Sequence, residues 1–230
     1  MPSLSCFFPC YNDAFSIARL VADANAVAAA FTDDYEIIVI DDGSSDHSRE
    51  VLRDLVAIYP SLKLIFHEQN RGYGGALQSG FKATTKEWVF YTDGDGQYDV
   101  WELRNLLVKM NADVDVVNGY KIARADAWYR LWIGKMYLGG MRLLFGFRVR
   151  DVDCDFRLIR KSVLDRIFLT QNSGTICVEL VTKLERAGAR FVDVPVHHYH
   201  RQHGTSQFFR WRHLIRTLVQ IVTLWWVLRK

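Results

Sequence analysis

The chain has 230 residues, half of them apolar and a quarter charged, with a formal net charge of +3. That length carries a full hydrophobic core in one or two domains. The charge is too small, with no run of five Lys or Arg, to indicate a nucleic-acid binder. Cys6, Cys10, Cys154 and Cys177 follow neither zinc spacing nor a dense disulfide framework, and no leader-like segment opens the chain, so reduced cysteines in the cytosol are expected.

In chain order, Leu4–Phe8 reads as a first strand closed by Pro9, with the loop Pro9-Cys10-Tyr11-Asn12-Asp13 and a helix through Ile17, Leu20 and Val21 after it. Glu36–Ile40 is a β-branched run suited to a strand buried on both faces of a parallel sheet. It ends in Asp41-Asp42-Gly43-Ser44-Ser45-Asp46. A helix with the core stripe Val51, Leu52, Leu55 and Val56 follows, Ser45 or Asp46 serving as its N-cap. Leu62–Phe66 is a third strand, followed by Asn70-Arg71-Gly72-Tyr73-Gly74-Gly75-Ala76-Leu77 and a further helix. Gly72-x-Gly74-Gly75 lacks the Lys of a P-loop and the full dinucleotide fingerprint, which argues against both of those classes.

Trp88–Thr92 reads as a fourth buried strand, and Leu103, Leu106, Leu107 and Met110 carry helical spacing beyond it. Between them lies Asp93-Gly94-Asp95-Gly96-Gln97-Tyr98-Asp99. Carboxyl ends of strands are where open α/β sheets bind ligands. Two carboxylates one residue apart there suit a hard divalent cation such as Mg²⁺ or Mn²⁺ that shares its shell with substrate phosphates. The plainer alternative is an Asp-Gly surface turn. Asp41 and Asp42, likewise at a strand end, suit a ribose hydroxyl pair or a base N–H, or else a helix-capping loop. The alternation of strand, loop and helix predicts an α/β doubly wound sheet, mostly parallel and flanked by helices.

Four segments together resemble the family 2 glycosyltransferases: Pro9-x-Tyr11-Asn12-Asp13, Asp41-Asp42-Gly43-Ser44-x-Asp46, Asn70-Arg71-Gly72-x-Gly74-x-Ala76-Leu77 and Asp93-Gly94-Asp95-Gly96-Gln97. Within that family the chain is most similar to the polyprenyl-phosphate (dolichyl- or undecaprenyl-phosphate) sugar synthases. The resemblance implies a GT-A nucleotide-diphospho-sugar transferase fold over residues 1–206 and an inverting, metal-dependent mechanism using Mg²⁺ or Mn²⁺. It implies that Pro9, Tyr11, Asp13 and Asp41 hold the nucleotide of a UDP- or GDP-sugar. Asp93, with Gly94, would face the nucleoside part, and Asp95 and Gln97 would hold the metal on the diphosphate. Asp13 stands where the family more often has Glu.

Val114–Gly119 reads as a fifth strand, and Lys121, Arg124 and Arg130 follow. In the lipid-phosphate synthases basic residues here hold the acceptor phosphate, Lys121 standing where Arg is common; by count alone they are solvated surface charges. Asp151-Val152-Asp153-Cys154-Asp155-Phe156-Arg157 resembles the family segment Asp-x-x-Ser/Cys-Gly-Phe-Arg, with Asp155 in place of the small residue. Glu179 is a lone helical acid, open to a functional or a structural role. After Val194-Pro195-Val196, Arg201 and Ser206 match residues that the resemblance assigns to the donor diphosphate. The neighbouring histidines, split between faces by strand alternation, do not make a zinc site.

Residues 207–230 form an aromatic, basic and apolar helix with the polar stripe His213, Arg216 or Thr217, Gln220 and Thr223. Its apolar run, Leu214 to Leu228, contains Arg216 and is short for a span of roughly 18–20 residues. It reads either as an interfacial helix on an anionic membrane or as a core helix packed on the sheet. The expected protein is thus a cytoplasmic, peripheral membrane glycosyltransferase with a nucleotide-sugar donor and a polyprenyl-phosphate acceptor, and no nucleic-acid partner. Gln207-Phe208-Phe209-Arg210-Trp211 also matches the Gln-x-x-Arg-Trp signature of processive polysaccharide synthases, whose Glu-Asp base motif and several spans this sequence lacks. A transferase to a saccharide hydroxyl and an inert nucleotide-binding membrane module are the alternatives.

Overall fold

The computed structural model describes residues 2–122, 139–200 and 211–229. Seven strands form one sheet: β1 (Leu4–Cys10), β2 (Tyr35–Asp41), β3 (Leu62–Phe66), β4 (Trp88–Thr92), β5 (Val116–Ile122), β6 (Phe156–Arg160) and β7 (Phe191–His197), in the order β3-β2-β1-β4-β6-β5-β7. Every pairing is parallel except those of β6, which runs antiparallel to both β4 and β5. Apolar residues on both sides of each strand explain why the sheet is covered on both faces. Leu4, Cys6 and Phe8 join one core layer while Phe7 joins the other.

The first layer is closed by helices α1 (Ala14–Phe31), α2 (Ser48–Ile58) and α4 (Leu103–Leu107). The alanine-rich sequence of α1 favours helix intrinsically, and it buries Ile17, Leu20, Val21, Ala24, Val27 and Ala28 along one face. The second layer is closed by α3 (Tyr73–Ala83) and the helices Lys161–Leu164 and Ile176–Arg186. Four strands, β1 to β4, lie where the sequence puts them, with β1 extended at its carboxyl end, β2 by a residue at each end, and β3 and β4 matching residue for residue. Pro9 falls inside β1, where the ladder to β4 has already stopped at Phe7. A proline there removes no donor from that ladder.

Three expectations need correction. The fifth strand begins at Val116 rather than Val114, because Asp115 is held by Arg190 at the sheet's lower edge. In α2 the buried face is Ser48, Leu52 and Leu55, while Val56 is exposed; at 3.6 residues per turn it falls at the edge of that stripe, beyond what the neighbouring layer covers. The cap expected at Ser45 or Asp46 is shared between two residues: His47 stands at the N-cap position without a side-chain cap bond, and Asp46 before it supplies the acceptor, its Oδ1 taking the Ser48 amide at 2.9 Å while its Oδ2 takes the Ala14 amide at 3.2 Å and ties two loops together.

The C-terminal helix, Trp211–Arg229, packs on the body of the protein through Ile221 and Leu224. These join Met141, Phe147, Val149, Val152, Val178 and Val181 in a third apolar cluster. The Trp225 indole donates to the Leu144 carbonyl at 2.8 Å and Ser173 Oγ donates to Gln220 at 3.0 Å. Val219, Val222, Trp226 and Val227 face outward, more than half exposed.

Candidate active site at the carboxyl ends of β1 and β4

Strand order reverses between β1 and β4, since β2 and β3 lie to one side of β1 and everything after β4 to the other. Such a switch point opens a crevice at the carboxyl ends of the two strands. The loop after β1 and the Asp93–Asp99 loop after β4 both lie there. Gly94 is what lets them meet: a Cβ at this position would lie 2.3 Å from the Pro9 carbonyl oxygen and 3.5 Å from Asp13 Oδ2. Ser16, in the first turn of α1, donates to the Gly94 carbonyl at 2.7 Å and fixes that approach.

The β1 and β2 loops are sewn together by Asn12. Its Oδ1 accepts from the amides of Ser45 (2.8 Å) and Asp46 (3.2 Å), and its own amide donates to Ser44 Oγ. Asn12 reaches this position with φ of 58°, a conformation asparagine tolerates better than most residues. Asn12, Asp46 and Ser48 thus build the loops, leaving Tyr11, 42% exposed, at the rim. Asp13 Oδ2 accepts from the Tyr11 amide at 3.2 Å. Asp41 is fully buried; its Oδ1 accepts from Arg49 Nε at 2.5 Å and the Ser44 amide at 3.4 Å, while its Oδ2 takes no hydrogen bond. An unpaired buried acceptor is costly unless a ligand supplies the donor.

Tyr73, an unremarked residue inside the Asn70–Leu77 motif, donates from Oη to Asp93 Oδ1 at 2.6 Å. Burial, with the Asp155 and Asp95 carboxylates beside it, pushes the Asp93 carboxyl well above its usual range, against the Tyr73 bond and Lys121. A bound divalent cation reverses such a balance. Asp95 Oδ1 accepts from the Gln97 amide at 3.1 Å, and Gln97 donates from Nε2 to the Tyr199 carbonyl at 2.9 Å while the Tyr199 amide returns a bond to the Gln97 carbonyl. The segment after β7 is thereby laid against the acidic loop. His197 bonds Glu102 through both its amide and Nδ1, and the His198 ring stands edge-on to Tyr98, so these histidines pin the loop from two directions.

Among the described residues no three His, Cys, Asp or Glu side chains converge on a metal-sized point. The oxygen-only set of Asp95 with the Gln97 amide oxygen nevertheless fits a hard cation, because Mg²⁺ is usually held by one or two carboxylates with substrate phosphates and water completing the shell. Lys121, near the end of β5, donates from Nζ to the Asp153 carbonyl at 2.6 Å, which holds it at the same end of the sheet. Burial, with Asp151 and Asp155 adding and Lys121 opposing, pushes the Asp153 carboxyl up to about 6. Arg124, Arg130, Arg201 and Ser206 lie outside the described residues.

Beside Tyr73, two further features escaped the sequence. Gly74 reads as part of a weak phosphate loop, yet a Cβ there would lie 2.1 Å from the Gln171 carbonyl oxygen, and the Gly74 amide donates to Asn172 O at 3.1 Å. The glycine admits the 170–172 loop, not a phosphate. Glu179 holds that loop: fully buried, it accepts from the Thr170 and Gln171 amides, Thr170 Oγ1 and Lys183 Nζ. His67 is the second. It bridges Asp42 Oδ1 (2.6 Å) to Ser79 Oγ (2.9 Å) while Asp42 also accepts from the Arg71 amide, fastening the motif after β3 to β2.

A family model described as glycosyl transferase family 2 matches residues 5–168. The undecaprenyl-phosphate 4-deoxy-4-formamido-L-arabinose transferase of Aeromonas hydrophila subsp. hydrophila is 30% identical over 222 residues, 96% of this chain and 67% of that protein. The transferase of the same name from Enterobacter sp. is 29% identical, with 96% and 66% covered. The chain thus spans about two thirds of the length of these relatives. Among solved structures, glucosyl-3-phosphoglycerate synthase from Mycobacterium tuberculosis in complex with Mn²⁺, UDP-glucose and phosphoglyceric acid superposes with a TM-score of 0.72 at 16% identity, covering 97% of this chain and 78% of the other. Its complex with Mg²⁺ and UDP gives 0.70, also at 16%, covering 96% and 79%. The likeness is one of fold, the GT-A arrangement.

Proposed function

The chain belongs to glycosyl transferase family 2, and from that premise we propose that it moves one sugar from a UDP- or GDP-sugar to a polyprenyl phosphate, inverting the anomeric centre, at the cytoplasmic face of a membrane. The observation that carries the proposal is the convergence at the switch point of Asp93, Asp95 and Gln97 with the Pro9–Asp13 loop. Beside them the buried Asp41 has an oxygen that lacks a donor. A nucleobase or ribose in that crevice supplies such a donor. Tyr11 at the rim offers a ring for the base, Pro9 and Gly94 a narrow floor, and Asp13 and Asp93 further acceptors. The acceptor class is supported by the relatives, whose names specify undecaprenyl phosphate.

Asp95 and Gln97 would hold Mg²⁺ or Mn²⁺, which when bound offsets charge on the departing nucleoside diphosphate. A phosphate monoester is largely ionised near neutral pH, its second pKa being about 6, so the acceptor needs positioning and neutralised repulsion rather than a strong base. Lys121 is the described cation at this end of β5 suited to that task, and we assign Arg124 and Arg130 to the same task. Arg201 and Ser206 are assigned to the donor diphosphate, where a planar guanidinium pairs two oxygens at once. Lys121→Ala is expected to raise the acceptor KM about tenfold with kcat nearly unchanged, as loss of an attracting charge requires. Steady-state kinetics against a short-chain polyprenyl phosphate check this, and an unchanged KM removes Lys121 from the acceptor site.

The outward stripe of Val219, Val222 and Trp226 on the C-terminal helix, spaced three and four residues apart, suits shallow insertion at a bilayer surface. Trp226→Glu is expected to cut binding to vesicles containing anionic lipid at least fivefold in a sedimentation assay, while activity on a detergent-dispersed short acceptor stays intact. Equal vesicle binding by the variant would assign the stripe elsewhere. The overall reading is tested by incubating the protein with Mn²⁺, a panel of UDP- and GDP-sugars and a short-chain polyprenyl phosphate. A lipid-linked sugar is expected; transfer only to saccharide acceptors would establish the hydroxyl-acceptor alternative.

A further inference from the structure

β4 and β6 pair antiparallel, with Tyr91 opposite Arg157 and Thr92 opposite Phe156. Continued by one step, that register sets Asp93 against Asp155, each just beyond its strand. Residues two apart share a face, so the Asp93–Asp155 pair lies on the same side as the Tyr91–Arg157 pair. Directly opposed like charges destabilise a sheet, and here a small residue at either position would remove the conflict. Asp155 gains the buried Arg157 as a counter-ion there, but that pairing uses one of its oxygens alone, and an acid left facing an acid at two strand ends points to function.

The hydrogen bonds are one-sided. Asp155 is 8% exposed, and its Oδ1 accepts from Cys177 Sγ at 3.1 Å and from Tyr91 Oη and Arg157 Nη1, each at 3.3 Å. Asp93 Oδ1 accepts from Tyr73. Neither Oδ2 takes a hydrogen bond from the described residues. Neither is sealed in the interior, where the unpaired side-chain atoms are Asp41 Oδ2, Thr92 Oγ1 and Thr182 Oγ1. Two carboxylates are therefore clamped by one oxygen and present the other to the crevice. Arg157, which neutralises part of this charge, is fully committed below: Nε to Asn118 Oδ1, Nη1 to Tyr91 and Asp155, and Nη2 to the Val152 carbonyl.

We propose that Asp155 is the residue that reads the transferred sugar: its outward oxygen accepts a hydrogen bond from a hydroxyl or ammonium group of the donor's sugar, and its charge disfavours donors whose sugar carries a carboxylate. The proposal rests on the nucleotide-sugar reading above, which sets the diphosphate at Asp95, two residues from Asp93. A site built to accept a bond from a substrate hydroxyl discriminates strongly, because its own acceptor is left unpaired by the wrong ligand. A uronic acid meets the Asp155 carboxylate at close range, and like-charge contact in a partly desolvated site opposes binding directly.

The test is calorimetric titration of the full chain with Mn²⁺, using UDP, UDP-glucose and UDP-glucuronate, and in parallel GDP, GDP-mannose and GDP-mannuronate. The wild type is expected to bind the neutral-sugar donor at least tenfold more tightly than the uronate donor. Asp155→Asn, of the same shape, is expected to erase most of that ratio while the affinity for the bare nucleotide stays within twofold. Asp155→Glu, which keeps the charge, should retain the preference and covers the case in which the Asn variant does not fold. An unchanged ratio in Asp155→Asn, or equal losses for the bare nucleotide and both donors, would overturn the assignment while leaving the glycosyltransferase reading intact. Absence of any nucleotide binding by the wild type would overturn both.

Discussion

Asp95→Ala is expected to abolish metal-dependent donor binding, raising the dissociation constant of a nucleoside diphosphate with Mn²⁺ at least a hundredfold, about 2.7 kcal/mol. Two effects add. The substitution removes a carboxylate from the cation's shell. It also frees the Gln97 amide, which Asp95 Oδ1 holds at 3.1 Å, so the second ligand loses its fixed position. The same change relieves Asp93 of one of the two carboxylates that push its pKa up. The melting temperature without cation is therefore expected to hold or rise, which separates a binding defect from a folding defect. Calorimetry with and without Mn²⁺ measures both arms, and unchanged metal-dependent affinity would remove Asp95 from the metal site.

Glu179→Ala is expected to be the most destabilising single change among those considered, costing about 3–5 kcal/mol, the scale for breaking a buried, hydrogen-bonded ion pair. For a chain of this size that lowers the melting temperature by roughly 10 °C. The carboxylate satisfies two amides, a hydroxyl and Lys183, and the loop it holds is the one that Gly74 admits beside Tyr73. Burial raises the Glu179 pKa, but the bonds from Lys183, Thr170 and Gln171 outweigh it and hold the carboxyl below its usual value of 4.5. A folded-state pKa below the unfolded one gives stability that is present above the unfolded value and lost as pH falls through the folded value. The gap between wild type and variant should thus be constant from pH 6 to 8 and narrow below about pH 4.5. Thermal melts across that range measure it, and a gap that widens in acid would contradict the sign.

The parts legible in the sequence are those where pattern and chemistry coincide. β1 to β4 announce themselves as short apolar runs closed by turn residues, and the motif loops fall where those runs stop. β6 is not legible. Phe156–Arg160 contains Arg157, fully buried, and a charged residue in a core strand is what a burial pattern treats as surface. Its solvation is replaced by Asn118, Tyr91, Asp155 and the Val152 carbonyl, which come from distant stretches of chain. Tyr73 was hidden for a related reason: its contact with Asp93 arises from tertiary approach and leaves no local trace. Gly74 shows the converse, a local signature whose cause, the 170–172 loop, lies about a hundred residues downstream.

The wedge position of β6 also governs the order in which the molecule can be assembled during synthesis. β1 to β4 occupy adjacent places in the sheet and can associate as they leave the ribosome, but the far edge of β4 has no partner until Arg160 has emerged. Every residue of that edge strand, Trp88 to Thr92, is buried in the finished protein. For the whole interval the nascent chain carries a bare apolar strand edge, the kind of surface that recruits other strands. The antiparallel strand that brings Asp155 opposite Asp93 is thus also the piece that seals the half-built sheet.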